Sequence, residues 1–136
     1  MASNRLWGNR EGKIVILDSS AIMMCFEFSI DLDDELTRLL GKCHITVPKP
    51  IIEELEFLAK QGKGRKKRIA KPALDLAKRY DVSELDTIEK GDNAVIYFAQ
   101  KLSGIVVTND RELRKRLREL SINVIYLRGK KRLVLE

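Results

Sequence analysis

Four acidic residues, each set beside an apolar run, are the ones best placed to do chemistry. Asp18 follows Ile-Val-Ile-Leu, Glu54 lies in Pro-Ile-Ile-Glu-Glu-Leu, Asp92 in Gly-Asp-Asn-Ala-Val-Ile, and Asp110 closes Ile-Val-Val-Thr-Asn-Asp. A carboxylate at the border of a core is costly unless a positive group neutralises it. The chain's own cations lie mostly elsewhere, in basic clusters. A bound divalent cation is therefore the first idea to test, and nucleic acid the first substrate. One or two hard cations can activate water and stabilise charge on a phosphodiester and its leaving oxygen. Such cations prefer carboxylate oxygen to thiolate or imidazole. Four acids without clustered His or Cys thus favour Mg²⁺ or Mn²⁺ over zinc.

The remaining reactive side chains exclude other chemistries. His44 is the only histidine, so a Ser-His-Asp or Cys-His mechanism has little support. It sits in the strand-like run Lys-Cys-His-Ile-Thr-Val and reads as structural. Cys25 and Cys43 have no CxxC spacing and read as buried thiols rather than zinc ligands. No Gly-x-x-x-x-Gly-Lys-Ser/Thr loop is present, which argues against a P-loop nucleotidase. Asp18 is followed by Ser19-Ser20, which disfavours both an acidic-pair receiver domain and an Asp-x-Asp phosphatase.

Positioning these acids requires alternating strands and helices. Residues 13–17 form a continuous β-branched run, the signature of a strand buried on both faces. Short helices are expected over 19–26 and 33–40, and a strand over 45–47. Pro48 and Pro50 mark the start of a helix running to Ala59, since proline fits a first turn. Residues 61–68 read as a flexible basic segment leading into a helix over 69–80. A short strand over 81–85, a helix over 92–102, a strand over 105–108, a helix over 111–120 and a last strand over 122–127 complete the pattern. Residues 128–131 then turn toward the apolar tail Leu133-Val134-Leu135. This alternation predicts a three-layer α/β/α sandwich with a central, mostly parallel sheet. Residues 1–12 read as a loose N-terminal arm, with Trp7 in it, and 13–136 as a single domain.

Asp18 and Asp110 both fall at the carboxyl end of an expected strand, the edge where open α/β sheets bind ligands. Glu54 and Asp92 fall near helix starts, so all four can converge at one end of the sheet. At about 100° per residue, Ile51, Ile52, Leu55, Leu58 and Ala59 form an apolar stripe. Glu53 points away from it, while Glu54 and Glu56 border it on opposite sides, so phase leaves those two open. Asp92 shares a face with Val95 and Ala99. Duller explanations exist for most of these acids. Asp92 could cap its helix, Asp110 could be a first-turn acid favoured by the helix dipole, and Glu54 an ordinary boundary glutamate. Asn109 with Glu112 resembles a capping box. Asp18, ending a fully apolar strand, has few such uses.

Composition agrees with a folded, polyanion-binding domain. Hydrophobic residues make up 44% of 136, and the formal net charge is +6, which favours nucleic acid or an anionic surface. The charged fraction of 34%, rich in Lys, Arg and Glu, is compatible with a thermophilic source. No apolar stretch approaches a membrane-spanning length and the N-terminus lacks a signal-peptide core, so a cytoplasmic protein is expected. One basic run gathers Lys60, Lys63, Arg65, Lys66, Lys67, Arg68 and Lys71. A second, on a helix, gathers Arg111, Arg114, Lys115, Arg116 and Arg118. Such residues could contact phosphates without reading sequence, or simply form solvated faces. Tyr97 and Phe98 lie in an apolar helix and read as core residues rather than base-stacking platforms.

Taken in order, the four motifs resemble PIN-domain ribonucleases over roughly residues 13–127. The resemblance carries the family's acidic positions onto Asp18, Glu54, Asp92 and Asp110. It selects Glu54, the residue immediately before Leu55, over Glu56. It makes Ser20, Thr108 and Asn109 supporting residues of the site. It implies a central parallel sheet, Mg²⁺ or Mn²⁺ dependence, RNA cleavage leaving 5′-phosphate and 3′-hydroxyl ends, and frequent homodimers. A toxin with an antitoxin partner and a ribosomal-RNA-processing enzyme with pre-ribosomal partners would share every motif. The competing expectation is a PIN-like module that holds RNA or protein without cleaving.

Overall fold

The computed structural model describes residues 12–136. The expected N-terminal arm, with Trp7, therefore lies outside the described residues except for Gly12. Six strands form one sheet in the order β3-β2-β1-β4-β5-β6. They are β1 (Lys13–Leu17), β2 (Cys43–Pro48), β3 (Asp81–Ser83), β4 (Ile105–Val107), β5 (Val124–Arg128) and β6 (Arg132–Leu135). The first five run parallel, and β6 pairs antiparallel with β5. The helices among the described residues are α1 (Ser19–Glu27), α2 (Leu32–Leu40), α3 (Lys49–Gln61), α4 (Gly64–Ala77), α5 (Gly91–Leu102) and α6 (Arg111–Glu119). The result is the expected three-layer α/β/α sandwich.

The central strands explain where the core sits. Val15, Ile16 and Leu17 of β1 and Val106 and Val107 of β4 have no exposed surface, as strands covered on both faces must. Phe98 of α5 and Leu113 and Leu117 of α6 close over them. Gly104 lets β4 start close beside β1, because a Cβ there would stand 2.7 Å from Ile16 Cδ1. The β1–β4 register pairs Leu17 with Val107. The residues that follow, Asp18 and Thr108, are therefore delivered side by side at the carboxyl edge of the sheet.

Two stretches differ from the sequence expectation. The basic segment is not a flexible loop beyond Lys63. Helix α4 begins at Gly64 and takes in Arg65, Lys66, Lys67 and Arg68, and it ends at Ala77 rather than Tyr80. Ala70, Ala73 and Ala77 are buried along one face of α4, and α4 packs along α3 and against α1. Small residues at that spacing let helices approach closely, and this packing overrides the weak local signal of a basic, uncapped start.

The second difference is at the other edge. The strand expected over 122–127 is β5, and it is not the last, because the apolar tail forms β6 beside it. Leu133 has no exposed surface. Its backbone N–H donates to Glu35 Oε1 at 2.8 Å, and its carbonyl accepts from Arg38 Nη2 at 2.7 Å. Helix α2 thus satisfies backbone groups that an edge strand would otherwise leave open. In the connecting turn, Gly129 and Lys130 both have positive φ, which glycine adopts at no steric cost.

Candidate active site

Asp18 anchors the site. It follows β1, is 5% exposed, and its backbone N–H bonds the Val107 carbonyl at 3.3 Å. Its side chain caps α1, with Oδ1 accepting from the Ala21 N–H at 2.8 Å. Ser20 Oγ lies within hydrogen-bonding distance of both carboxylate oxygens, at 2.8 and 3.0 Å, and Thr108 Oγ1 donates to Oδ2. An acid that ends an apolar strand thus has a structural use that strand position alone did not suggest. Three donors do not offset the loss of water. Burial pushes the Asp18 carboxyl up to about 6, against the hydrogen bonds from Thr108, Ala21 and Ser20, and the charge of Asp92 adds to the rise.

Thr108, itself fully buried, ties the two strand-end acids together. Besides donating to Asp18, its Oγ1 accepts from the Asp110 N–H at 3.0 Å. Asp110 is the N-cap of α6, its Oδ1 accepting from the N–H groups of Glu112 at 2.9 Å and Leu113 at 3.2 Å. The capping role considered for Asn109 therefore belongs to Asp110, one residue later. Asn109 takes part through its backbone N–H, which donates to Ser20 Oγ at 2.9 Å.

Glu54 lies in the second turn of α3 and accepts from Ser19 Oγ at 2.9 Å. This bond brings Glu54 beside the start of α1, next to Asp18, while Glu53 is exposed. Asp92 stands in the first turn of α5, whose N-cap is Lys90 without a side-chain bond, so Asp92 does not cap its helix. Its carboxyl is raised by burial first and by the charge of Asp110 second, with Arg116 opposing both. All four acids are therefore linked at the carboxyl edge of the parallel strands. Asp18 and Glu54 are joined through Ser19, Asp18 and Asp92 repel through space, and so do Asp92 and Asp110.

Among the described residues, no three His, Cys, Asp or Glu side chains stand close enough to form a ready cation cage. The donors fit a hard divalent ion, since they are carboxylate and hydroxyl oxygens grouped around an incompletely neutralised buried acid. The sequence did not mark two further residues as neighbours of the acids. Ser19 acts on Glu54 across 35 positions. Arg116 donates from Nη2 to Asn93 Oδ1 at 2.8 Å.

The other sequence candidates separate clearly. Lys63, Arg65, Lys66 and Arg68 are exposed and Lys67 half-buried at the start of α4. Arg65 lies 3.7 Å from Glu27 at the far end of α1, about 13 Å along that helix from Asp18. Arg111 is exposed. Arg114 is engaged structurally, stacked 3.9 Å from the centre of the Tyr126 ring and 3.8 Å from Glu136. His44 Nε2 stands 2.7 Å from Asp81 Oδ2, linking neighbouring strands β2 and β3. Cys25 and Cys43 are free thiols, and burial raises both. Phe98 is core, but Tyr97 is half-buried and donates to the Asp86 carbonyl at 3.5 Å. No helix among the described residues is long and apolar enough to cross a membrane.

A family model described as a PIN-like domain matches residues 15–130. The chain belongs to the PIN-like domain family. Among its PIN-like relatives, it is 34% identical over 121 residues to Ribonuclease VapC4 of Methanocaldococcus jannaschii, covering 86% of this chain and 92% of the relative. It is 29% identical over 128 residues to Ribonuclease VapC9 of Archaeoglobus fulgidus, covering 94% and 93%. Its fold superposes on the PIN domain endonuclease Utp24 with a TM-score of 0.71 at 24% identity, covering 90% of each chain. A domain of a functionally unknown protein from Methanocaldococcus jannaschii is similar with a TM-score of 0.66 at 17% identity. The PIN-like fold thus accounts for nearly the whole described chain, and the acid-bearing edge lies within the matched span.

Proposed function

We propose that this PIN-like protein is a divalent-metal-dependent endoribonuclease whose site is built on Asp18, Glu54, Asp92 and Asp110. The observation that carries the reading is Asp18. It is a buried carboxylate at the carboxyl edge of the central strands, raised by desolvation and linked to three further acids. The ribonuclease names of two relatives that span most of the chain support RNA as substrate.

In this mechanism Ser20, Thr108 and the Ala21 N–H fix the orientation of Asp18. Ser19 does the same for Glu54, and the first turn of α6 does so for Asp110. The four carboxylates would hold Mg²⁺ or Mn²⁺, which when bound activates water and neutralises charge developing on the phosphate. Water attacks phosphorus in line and the bond to the 3′-oxygen breaks, leaving 5′-phosphate and 3′-hydroxyl ends. Lys63, Arg65, Lys66, Lys67 and Arg68 at the start of α4, together with Arg111, hold the strand by its phosphates. The start of α4 supports this use. Four successive cations crowd the positive end of the helix dipole, where they oppose folding, and an exposed, self-opposed patch suits a polyanion. Arg114 contributes less, being held by Tyr126 and Glu136. A cytoplasmic homodimer with an antitoxin or pre-ribosomal partner completes the proposal.

Purified protein should cleave single-stranded RNA with Mn²⁺ or Mg²⁺, and Asp18→Asn should abolish cleavage while the fold persists. Cleavage that survives Asp18→Asn, or continues in EDTA, would sink the mechanism. RNA bound without cleavage at any Mn²⁺ concentration would instead favour a non-cleaving PIN-like module. Neutralising Arg65, Lys66 and Lys67 together should weaken binding and flatten its dependence on salt, and an unchanged salt slope would remove α4 from the RNA path.

A further inference from the structure

Four acids around one cleavage point repel the phosphodiester they are meant to cut. The structure sets one arginine against them. Arg116, midway along α6, donates to the Asn93 side chain, and Asn93 is the immediate neighbour of Asp92 on α5. Its charge opposes that of Asp92. The other arginines toward the end of α6 are used elsewhere. Arg114 packs on Tyr126, and both Arg114 and Arg118 pair with Glu136. Among the described residues the Arg116 side chain has no ion pair and no other hydrogen bond. A guanidinium carries five N–H donors, and one bond to Asn93 leaves a fork for another acceptor.

Arg116 and Asn93 are both exposed. A contact of this kind adds little to stability, so holding the fold is a poor account of it. What the bond does is restrict a long side chain to the neighbourhood of Asp92. A planar, permanently charged fork is well matched to two oxygens of a phosphate. We propose that Arg116, anchored by Asn93, binds non-bridging oxygens of the RNA phosphate at or next to the acids and so positions the strand for cleavage. This assignment rests on the nuclease reading for its meaning, but RNA binding alone can test it.

Steady-state cleavage of a single-stranded RNA with Mn²⁺ should be compared among the wild-type protein, Arg116→Ala, Arg116→Lys, Asn93→Ala and Lys42→Ala, the last removing one exposed charge between α2 and β2. Arg116→Ala should raise KM about tenfold, the loss expected for one charge-assisted contact. Because it removes a cation, it should not raise the Mn²⁺ concentration needed for half activity. Arg116→Lys should recover part of the loss, Asn93→Ala should fall between wild type and Arg116→Ala, and Lys42→Ala should match wild type. In the Asp18→Asn background, Arg116→Ala should lower the salt slope of RNA binding by about one. Wild-type KM and salt slope in Arg116→Ala would overturn the assignment, as would a KM rise equal to that of Lys42→Ala. If Arg116→Ala fails to fold, the same comparison is made with Arg116→Lys and Asn93→Ala, and wild-type values in both overturn it. A wild-type protein that does not cleave refutes the nuclease reading, while the salt slope still decides the role of Arg116.

Discussion

Asp18 and Asp110 serve two neighbouring βα units, yet the fold treats them differently. Each follows a buried parallel strand, each caps the next helix, and Thr108 contacts both. Asp18 is nearly sealed and its carboxyl is pushed up to about 6. Asp110 is half-buried and spends its side chain on two N–H groups of α6. The lesson is that one local motif can serve stability in one copy and oppose it in the other. What separates them is distance from the strand: Asp18 directly follows Leu17, whereas Asp110 comes three residues after Val107, with the buried Thr108 in the place that matches Asp18.

The sharpest way to break this contrast is to remove charge at Asp18. Ionising a carboxyl whose folded pKa has risen from 3.8 to about 6 costs the fold about 3 kcal/mol at pH 7. Asp18→Asn should therefore be more stable than wild type by up to that amount in urea unfolding at pH 7, even as the proposed cleavage is expected to be lost. Equal or lower stability at pH 7 would show that the surrounding donors fully compensate the charge.

The pH dependence follows with a defined sign. The folded protein holds the Asp18 proton more tightly than the unfolded chain does. The contribution of Asp18 to stability is thus most favourable below about pH 4, falls as pH rises through the interval up to 6, and is flat above it. The stability gap between Asp18→Asn and wild type should close as pH is lowered from 7 to 4. A gap that stays constant would mean that the acid titrates alike in both states.

Thr108→Val probes the link between the two acids. It removes a donor from Asp18 and leaves the Asp110 N–H without its acceptor, so a loss of about 2 kcal/mol is expected. The loss should shrink in an Asp18→Asn background, because contacting residues couple. Strict additivity of the two substitutions would sever the proposed link. The smallest effect is expected at Asp110. Asp110→Ala should cost about 1 kcal/mol through the lost cap, and Asp110→Asn only a fraction of that, the opposite direction to Asp18→Asn. A stability gain in Asp110→Asn like that at Asp18 would erase the distinction between the two strand ends.

Most of the scaffold was legible in the sequence. β-branched runs announced β1 and β4, prolines marked the start of α3, and the apolar stripe put Glu53 in solvent. The failures have physical causes. Arg65 to Arg68 looked like a loop because nothing local favours a helix with cations at its start, and only packing against α3 and α1 makes one. Leu133 to Leu135 looked like a tail because a single strand gives no sign of its partner. Both basic runs read as possible phosphate contacts, yet Arg114 and Arg118 are taken up by Tyr126 and Glu136, while Arg65, Lys66 and Arg68 on α4 stay exposed.

By itself the sequence determined which residues could be acids at strand ends and helix starts, because periodicity and turn chemistry act over a few neighbouring residues. It also sufficed, through the resemblance of its motifs, to choose Glu54 over Glu56. Tertiary structure decided the rest. That Thr108 reaches Asp18 across 90 positions, that Ser19 holds Glu54 across 35, and that Arg116 meets Asn93 across 23 depends on strand order and register. Those are set by the fit of whole strands and helices around one core, a long-range property that no local window contains.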